Sequence, residues 1–404
     1  MDSAEGTWAE HGGTGRAPNR QELGGPGQVP NRQRSLAMGS SALLSILALL
    51  SLLGCTPSTP APSPASPQTA RVESVPEETL AAQDAEQPET TPIVAEAADV
   101  HAEVPPEEVA PPEPPELIAP TGERIVDCEA APQGMACVPG GPFIRGMDND
   151  PHEHCDQPSY NKKDQVNTNP AETIWMQTYY MDLTEVSTEA FQACIKAKKC
   201  EKAGPKYNDF SRPLQPVTGI SWFDAYNFCK AQGKHLPSEA EWEKAARGPD
   251  GELYPWGNEP APSCENAVIM NEKKERSCGV QKKGAHPEKG RVLEVCSREP
   301  GRYGLCDMVG NAEEWVADWY SANYTACGEG CQGFHPLGPC GGGPDDCQGH
   351  RYKLVRGGSW YWPAEHATGI HRRSHVASND PYHHFGFRCA ASPDEAAALR
   401  PAEE

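Results

Sequence analysis

Five histidines fall close together near the C-terminal end of the chain: His366, His371, His375, His383 and His384. His371 and His375 are four apart, a spacing that sets two imidazoles on one face of a helix and suits zinc. The Glu-His pattern of hydrolytic zinc enzymes is missing beside them, so the run reads as surface or hydrogen-bonded histidines. The chain also has 16 cysteines, with no Cys-x-x-Cys pair of the zinc type. Spacings such as Cys194/Cys200 and Cys340/Cys347 read as short loops closed by disulfides, which points to an oxidising compartment. The run Trp360-Tyr361-Trp362 offers flat apolar faces suited to stacking on sugars or peptides. Trp360 is expected in the core, and Trp362, followed by Pro363, at the surface.

The elements that could position such residues begin late. Apart from Trp8, every aromatic residue lies at Phe143 or beyond, so the first third cannot build an aromatic core. Of the formal charge of −22, −13 falls on residues 56–123 and none on residues 1–55, which leaves −9 for the rest. No basic stripe appears, so a nucleic-acid partner is excluded from the reading. Residues 43–53 form an apolar run too short to span a bilayer, the pattern of a signal-peptide core behind Arg32 and Arg34. It ends in Leu52-Leu53-Gly54-Cys55, similar to a bacterial lipobox. That likeness implies lipidation of Cys55 and a membrane partner through the lipid. Thr56, where an inner-membrane retention signal has Asp, implies the outer membrane of a Gram-negative cell envelope. Residues 55–123 then read as the lipid anchor and a disordered, extended Pro/Ala/Glu-rich stalk, with 15 prolines between 56 and 123.

Beyond the stalk, short apolar pieces around Pro139-Gly140-Gly141 predict two strands. Residues 175–183 read as a further strand. Ser187 starts a helix with Phe191, Cys194 and Ile195 on one face. Ser221-x-x-Asp224 and Ser238-x-x-Glu241 are capping boxes, opening helices that end at Gly233 and Gly248. The remainder is rich in Gly, Pro, Asn and Asp, and such a domain needs staples. Residues 393–404 read as a loose polar tail.

Nine phrases in order carry a resemblance. They are Val138-Pro-Gly-Gly-Pro-Phe143, Thr184-Glu-Val186, Pro216-Val-Thr-Gly-Ile-Ser-Trp222, Leu236-Pro-Ser-Glu-Ala-Glu-Trp-Glu243, Tyr254-Pro-Trp-Gly-Asn258, Tyr303-Gly-Leu-Cys-Asp-Met-Val-Gly-Asn311, Glu314-Trp315, Arg356-Gly-Gly-Ser359 and Gly386-Phe-Arg-Cys-Ala390. Together they resemble the formylglycine-generating-enzyme, or sulfatase-modifying-factor, family. The resemblance spans residues 135–391 and places the domain at 124–392. It implies an irregular α+β, C-type-lectin-like fold, loop-rich and disulfide-stapled, with a broad groove. It also implies a calcium ion on Asp307, Gly310, Ala312 and Glu314, whose two carboxylates and carbonyls within eight residues suit a hard cation. A second calcium would begin at Asn266 and the Ala267 carbonyl, with later ligands between residues 272 and 288, where this chain departs from the pattern. A disulfide Cys229–Cys389 is implied as well. The second pair of the animal-type enzymes is absent, its positions being Ala246 and Arg372.

The resemblance breaks at the chemistry. The family's oxidases hold copper(I) with two thiolates after the Gly-Gly-Ser motif, and soft copper(I) prefers such ligands. Those positions are Trp362 and Ala367, and no cysteine lies between Cys347 and Cys389. Copper is therefore not expected. Ser359 of the groove is kept. The expectation is a binding or assembly module taking a protein, peptide or glycan in a groove lined by Ser359, Trp360 and Trp362. The alternative is a divergent oxidoreductase of the same family acting on a peptide or small molecule. Beyond Cys55, fifteen cysteines leave one over, and Cys155 is the expected one.

Overall fold

The computed structural model describes residues 116–149, 167–280, 290–378 and 383–401. The export signal, Cys55, most of the stalk, Cys155 and the later half of the second calcium segment lie outside them.

The described chain is the irregular α+β fold expected. Short strands build four small sheets. β1 (Leu117–Ile118) pairs with β2 (Arg124–Ile125), and β4 (Gly141–Arg145) pairs with β5 (Glu172–Met176). β3 (Met135–Val138) and β11 (Ala390–Ala391) flank β6 (Tyr179–Asp182), both antiparallel to it. The largest sheet runs in the order β10 (Phe385–Gly386), β7 (Glu313–Trp319), β8 (Lys353–Arg356), β9 (Arg372–His375). The Pro-Gly-Gly segment therefore separates strands of two different sheets rather than closing one hairpin.

Three helices of nine or ten residues pack on this framework. α1 (Thr188–Lys196) is capped by Ser187, α2 (Trp222–Ala231) by a Ser221/Asp224 box, and α3 (Glu239–Arg247) by a Ser238/Glu241 box. These caps satisfy orphan amides locally, which is why they are readable in the sequence. Every residue of α3 is buried, including Glu239, Glu241, Glu243, Lys244 and Arg247. Buried charges must be paired. Glu239 takes Arg356 and Arg372, Glu243 takes Arg247 and Arg356, and Glu241 takes His235 and His335. Burial alone would raise the Glu243 carboxyl, but the Arg356 and Arg247 guanidiniums outweigh it and hold the group at about 2.

Seven disulfides staple the loops: 128–137, 194–200, 229–389, 264–278, 296–306, 327–331 and 340–347. Cys229–Cys389 ties α2 to the last strands across a sequence separation of 160, a long loop removed from the unfolded ensemble.

Two boundaries need correction. The stalk was expected to run to residue 123, but β1 pairs with β2, and Ala119 is buried with Ile125. Leu117 and Ile118 stay exposed, and it is backbone pairing with β2 that orders the end of the Pro-rich segment. The tail from 393 was expected to be loose, but α4 (Tyr324–Cys327) is followed by a fifth helix, α5 (Pro393–Leu399), opened by a Ser392/Glu395 capping box. It buries Ala396 beside Met135 and Tyr180, and His235 meets Glu395 at 2.6 Å.

Candidate functional site

The segment after Gly357-Gly358-Ser359 turns tightly between β8 and β9. Gly357 and Gly358 have φ of +88° and +66°, and a Cβ on Gly358 would lie 2.4 Å from the His366 carbonyl oxygen. Only glycine fits there. The turn drives Trp360 inward, where it packs with Phe210, Val268 and Val292 at 0% exposure. Ser359 is 1% exposed. Of the three residues expected to line the groove, Trp360 and Ser359 therefore present no face to a ligand. Trp362 is half-buried rather than exposed. Its ring stacks on His366 at 5.1 Å and 22°, and the Arg373 guanidinium sits 4.7 Å from its centroid. Ala367 is fully buried among Ala267, Ile269 and Val309.

Of the histidines, His371 and His384 are buried rather than at the surface, and His375 lies on a strand rather than a helix. His371 immediately precedes β9, and His375 ends it. Extended backbone puts residues four apart on one face as a helix does, so the spacing misled about the element. The His366 and His371 rings are 4.9 Å apart, and those of His383 and His384 are 5.1 Å apart. Burial and the Arg373 charge hold His384 well below the usual imidazole range. No group of three or more His, Cys, Asp or Glu side chains among the described residues has metal-binding geometry. Glu313, fully buried at the start of β7, takes Arg373 at 3.2 Å and lies 3.9 Å from His371 Nε2. Sequence reasoning did not single it out, because it stands beside Glu314 in an acidic pair.

The second constellation surrounds Asp307, Gly310, Ala312 and Glu314. Asp307 has φ +53°, and its Oδ2 accepts the Cys296 N–H at 2.7 Å. Gly310 has φ +83°, and a Cβ there would stand 2.9 Å from the Val268 oxygen. Ala312 N–H donates to Glu185 at 3.1 Å, and the Asn311 amide donates to the same carboxylate. In the sequence Glu185 belongs to the Thr184-Glu-Val186 phrase, and nothing near it in the chain marks its place in this cluster. Burial, then the charges of Asp307 and Glu314, raise the Glu185 carboxyl well above its usual range. Burial pushes Asp307 up to about 6. Three carboxylates thus crowd one place, with the Arg388 guanidinium as their central counter-charge. Arg388 donates to both Glu314 oxygens, and the Trp242 indole donates to Oε2 at 2.8 Å. Glu314 is therefore largely committed to Arg388, while burial and mutual repulsion favour the protonated forms of Glu185 and Asp307, and these side chains do not by themselves form a metal-ligand group.

Asn266, expected to start a second ion site, spends its side-chain oxygen on the Ser263 N–H at 2.7 Å. The Cys264–Cys278 disulfide closes that loop. Where animal-type enzymes place a further cysteine pair, Ala246 is core and Arg372 binds Glu239.

A family model described as "Sulfatase-modifying factor enzyme 1-like domain" matches residues 124–393. A formylglycine-generating enzyme of Thermomonospora curvata is 34% identical over 193 residues, covering 47% of this chain and 60% of that protein. The formylglycine-generating enzyme of Bos taurus is 27% identical over 310 residues, covering 64% of this chain and 75% of that one. The chain thus spans less than two thirds of the bacterial relative. Among solved structures, PvdO from Pseudomonas aeruginosa is similar at TM-score 0.47 and 22% identity, covering 63% of this chain and 93% of that one.

Proposed function

The chain belongs to the sulfatase-modifying factor enzyme 1-like family, and on that premise we propose that it is a lipid-anchored envelope protein whose domain binds or assembles with a ligand and does not make formylglycine by copper-thiolate chemistry. One observation carries this reading. The two positions that hold the family's thiolates are Trp362 and Ala367, and every described cysteine is closed in a disulfide. A disulfide sulfur is not the thiolate that binds copper(I). The framework around those positions keeps its buried ion network, so the fold remains while the reactive pair is gone.

The acidic cradle takes calcium in this reading, with Asp307, Glu185 and the Gly310 and Ala312 carbonyls as its holders and Glu314 oriented by Arg388. The ion supplies charge neutralisation and a clamp on the loop before β7. Anchoring rests on the apolar run at 43–53 and on Cys55 behind it, and the side chain after Cys55 favours the outer membrane.

The experiment uses the purified chain, a Cys-x-Pro-x-Arg peptide, copper and oxygen, with mass spectrometry of the peptide. The expected product is none. Conversion of the peptide cysteine to the aldehyde overturns the reading.

A further inference from the structure

A groove of about 980 Å³ opens on a face formed by α1, the start of α2 and the loop 199–206, near the upper end of the range for small-molecule sites. Its residues belong to none of the sites above. Three lysines line it, Lys199, Lys202 and Lys206, on a chain whose formal charge is −22. None of the three ammonium groups makes an ion pair or hydrogen bond among the described residues. The lining has two carboxylates. They are Glu201 and Asp224, the latter placed at the rim by capping α2, its Oδ2 accepting from the backbone and hydroxyl of Ser221 at 2.8 and 2.7 Å, so three ammoniums face two carboxylates.

The lysine loop is held in shape at both ends. Cys194–Cys200 ties its start to α1. Near its other end, the Gly204 carbonyl oxygen sits 2.9 Å from where a Cβ on Gly219 would stand, and Gly219 has φ +71°. A side chain at 219 would push the loop away. Beneath it, Thr188 is 5% exposed and its Oγ1 has no hydrogen-bond partner. A buried hydroxyl without a partner is costly unless a ligand or water supplies one. The exposed amides of Gln192 and Asn227 and the 37% exposed ring of Phe223 complete the lining.

We propose that this groove binds an oligosaccharide carrying carboxylate groups. The lysines are strung along a loop instead of meeting at one point, and the groove exceeds the needs of one small anion. Spaced carboxylates fit that layout. Side-chain amides and a hydroxyl suit sugar hydroxyls, and Phe223 offers an apolar face for a sugar ring. No strand residue lines the groove, so an extended acidic peptide has no sheet edge to pair with. The inference is independent of what occupies the Trp362 and Ala367 positions.

Calorimetry on the full chain tests it with trigalacturonate, neutral maltotriose and hexaglutamate as probes. Trigalacturonate binds, weakens with added salt, and outcompetes both others. The triple variant Lys199→Ala/Lys202→Ala/Lys206→Ala loses about tenfold or more in affinity with an unchanged melting temperature, since exposed lysines carry little stability. Thr188→Val, which keeps the volume and removes the hydroxyl, loses about fivefold. The proposal is overturned if trigalacturonate fails to bind, if the triple variant binds it as tightly as the parent, or if maltotriose or hexaglutamate binds as well.

Discussion

Glu314 shows how one residue's identity is constrained from several directions. Its carboxylate accepts from Arg388 at 2.7 to 3.0 Å and from the Trp242 indole at 2.8 Å, with Glu314 and Arg388 at 1% and 0% exposure. Removing one partner of a buried pair leaves the other charge uncompensated. Glu314→Gln is therefore expected to lower the unfolding free energy by about 3–5 kcal/mol. Urea unfolding in excess chelator isolates that effect from any ion bound nearby, and a loss below about 1 kcal/mol would show that Arg388 is satisfied by the Asp182, Leu183 and Cys306 carbonyls alone. At the same scale, the contrast between Glu314 and Glu185 sorts the acids of the cradle. One is held by a guanidinium, and the other is raised by burial and then by Asp307 and Glu314, against a smaller opposing pull from Arg388.

Among the elements, α5 is the part whose docking depends on titration. His235 lies between Glu241 at 3.2 Å and Glu395 at 2.6 Å, and His335 approaches Glu241 from another side at 3.3 Å. Burial would lower the His235 imidazole, but the two carboxylates outweigh it and raise it to about 10. A raised histidine contributes stability in full below its unfolded value of 6.5 and loses it as pH rises through about 10. Glu241 is held well below its usual 4.5 by the histidines despite burial, so its share is present above 4.5 and lost as pH falls further. Unfolding free energy measured against pH in wild type and in Glu395→Gln is expected to differ most between about pH 4.5 and 6.5 and to converge toward pH 10. A difference that grows above pH 8 contradicts a protonated His235 holding α5. The same scale explains why the helices were legible. Ser187, Ser221 and Ser238 cap within three residues of themselves, so the signal is local. β9 was not legible, because a four-residue histidine spacing suits a helix face and a strand face alike.

For the whole molecule, the calcium proposal and the anchor each make a prediction. With free calcium about a hundredfold above its dissociation constant, binding adds about 2.7 kcal/mol. For a domain of this size that amounts to a melting temperature roughly 5–10 °C higher with calcium than with chelator. An unchanged melting curve on chelation and re-addition removes calcium from the account, whatever the copper positions do. The anchor predicts that Cys55→Ser releases the chain from the membrane fraction and abolishes labelling by a fatty-acid analogue. Continued labelling of the variant would place the lipid elsewhere.

What the sequence by itself determined rests on residue identity and short spacing. Family membership follows from nine ordered phrases, the helix starts from capping residues, and the absence of any cysteine between Cys347 and Cys389 from the residues themselves. None of these needs a neighbour from elsewhere in the chain. Tertiary structure alone decided the docking of α5 against His235 and the meeting of Glu185 with Asp307 and Glu314. Each depends on side chains far apart in sequence sharing one low-dielectric place: Glu185 sits against Ala312, 127 residues on, and His235 against Glu395, 160 residues on. Local periodicity carries no record of such meetings, because their energy arises only once the chain has closed over them.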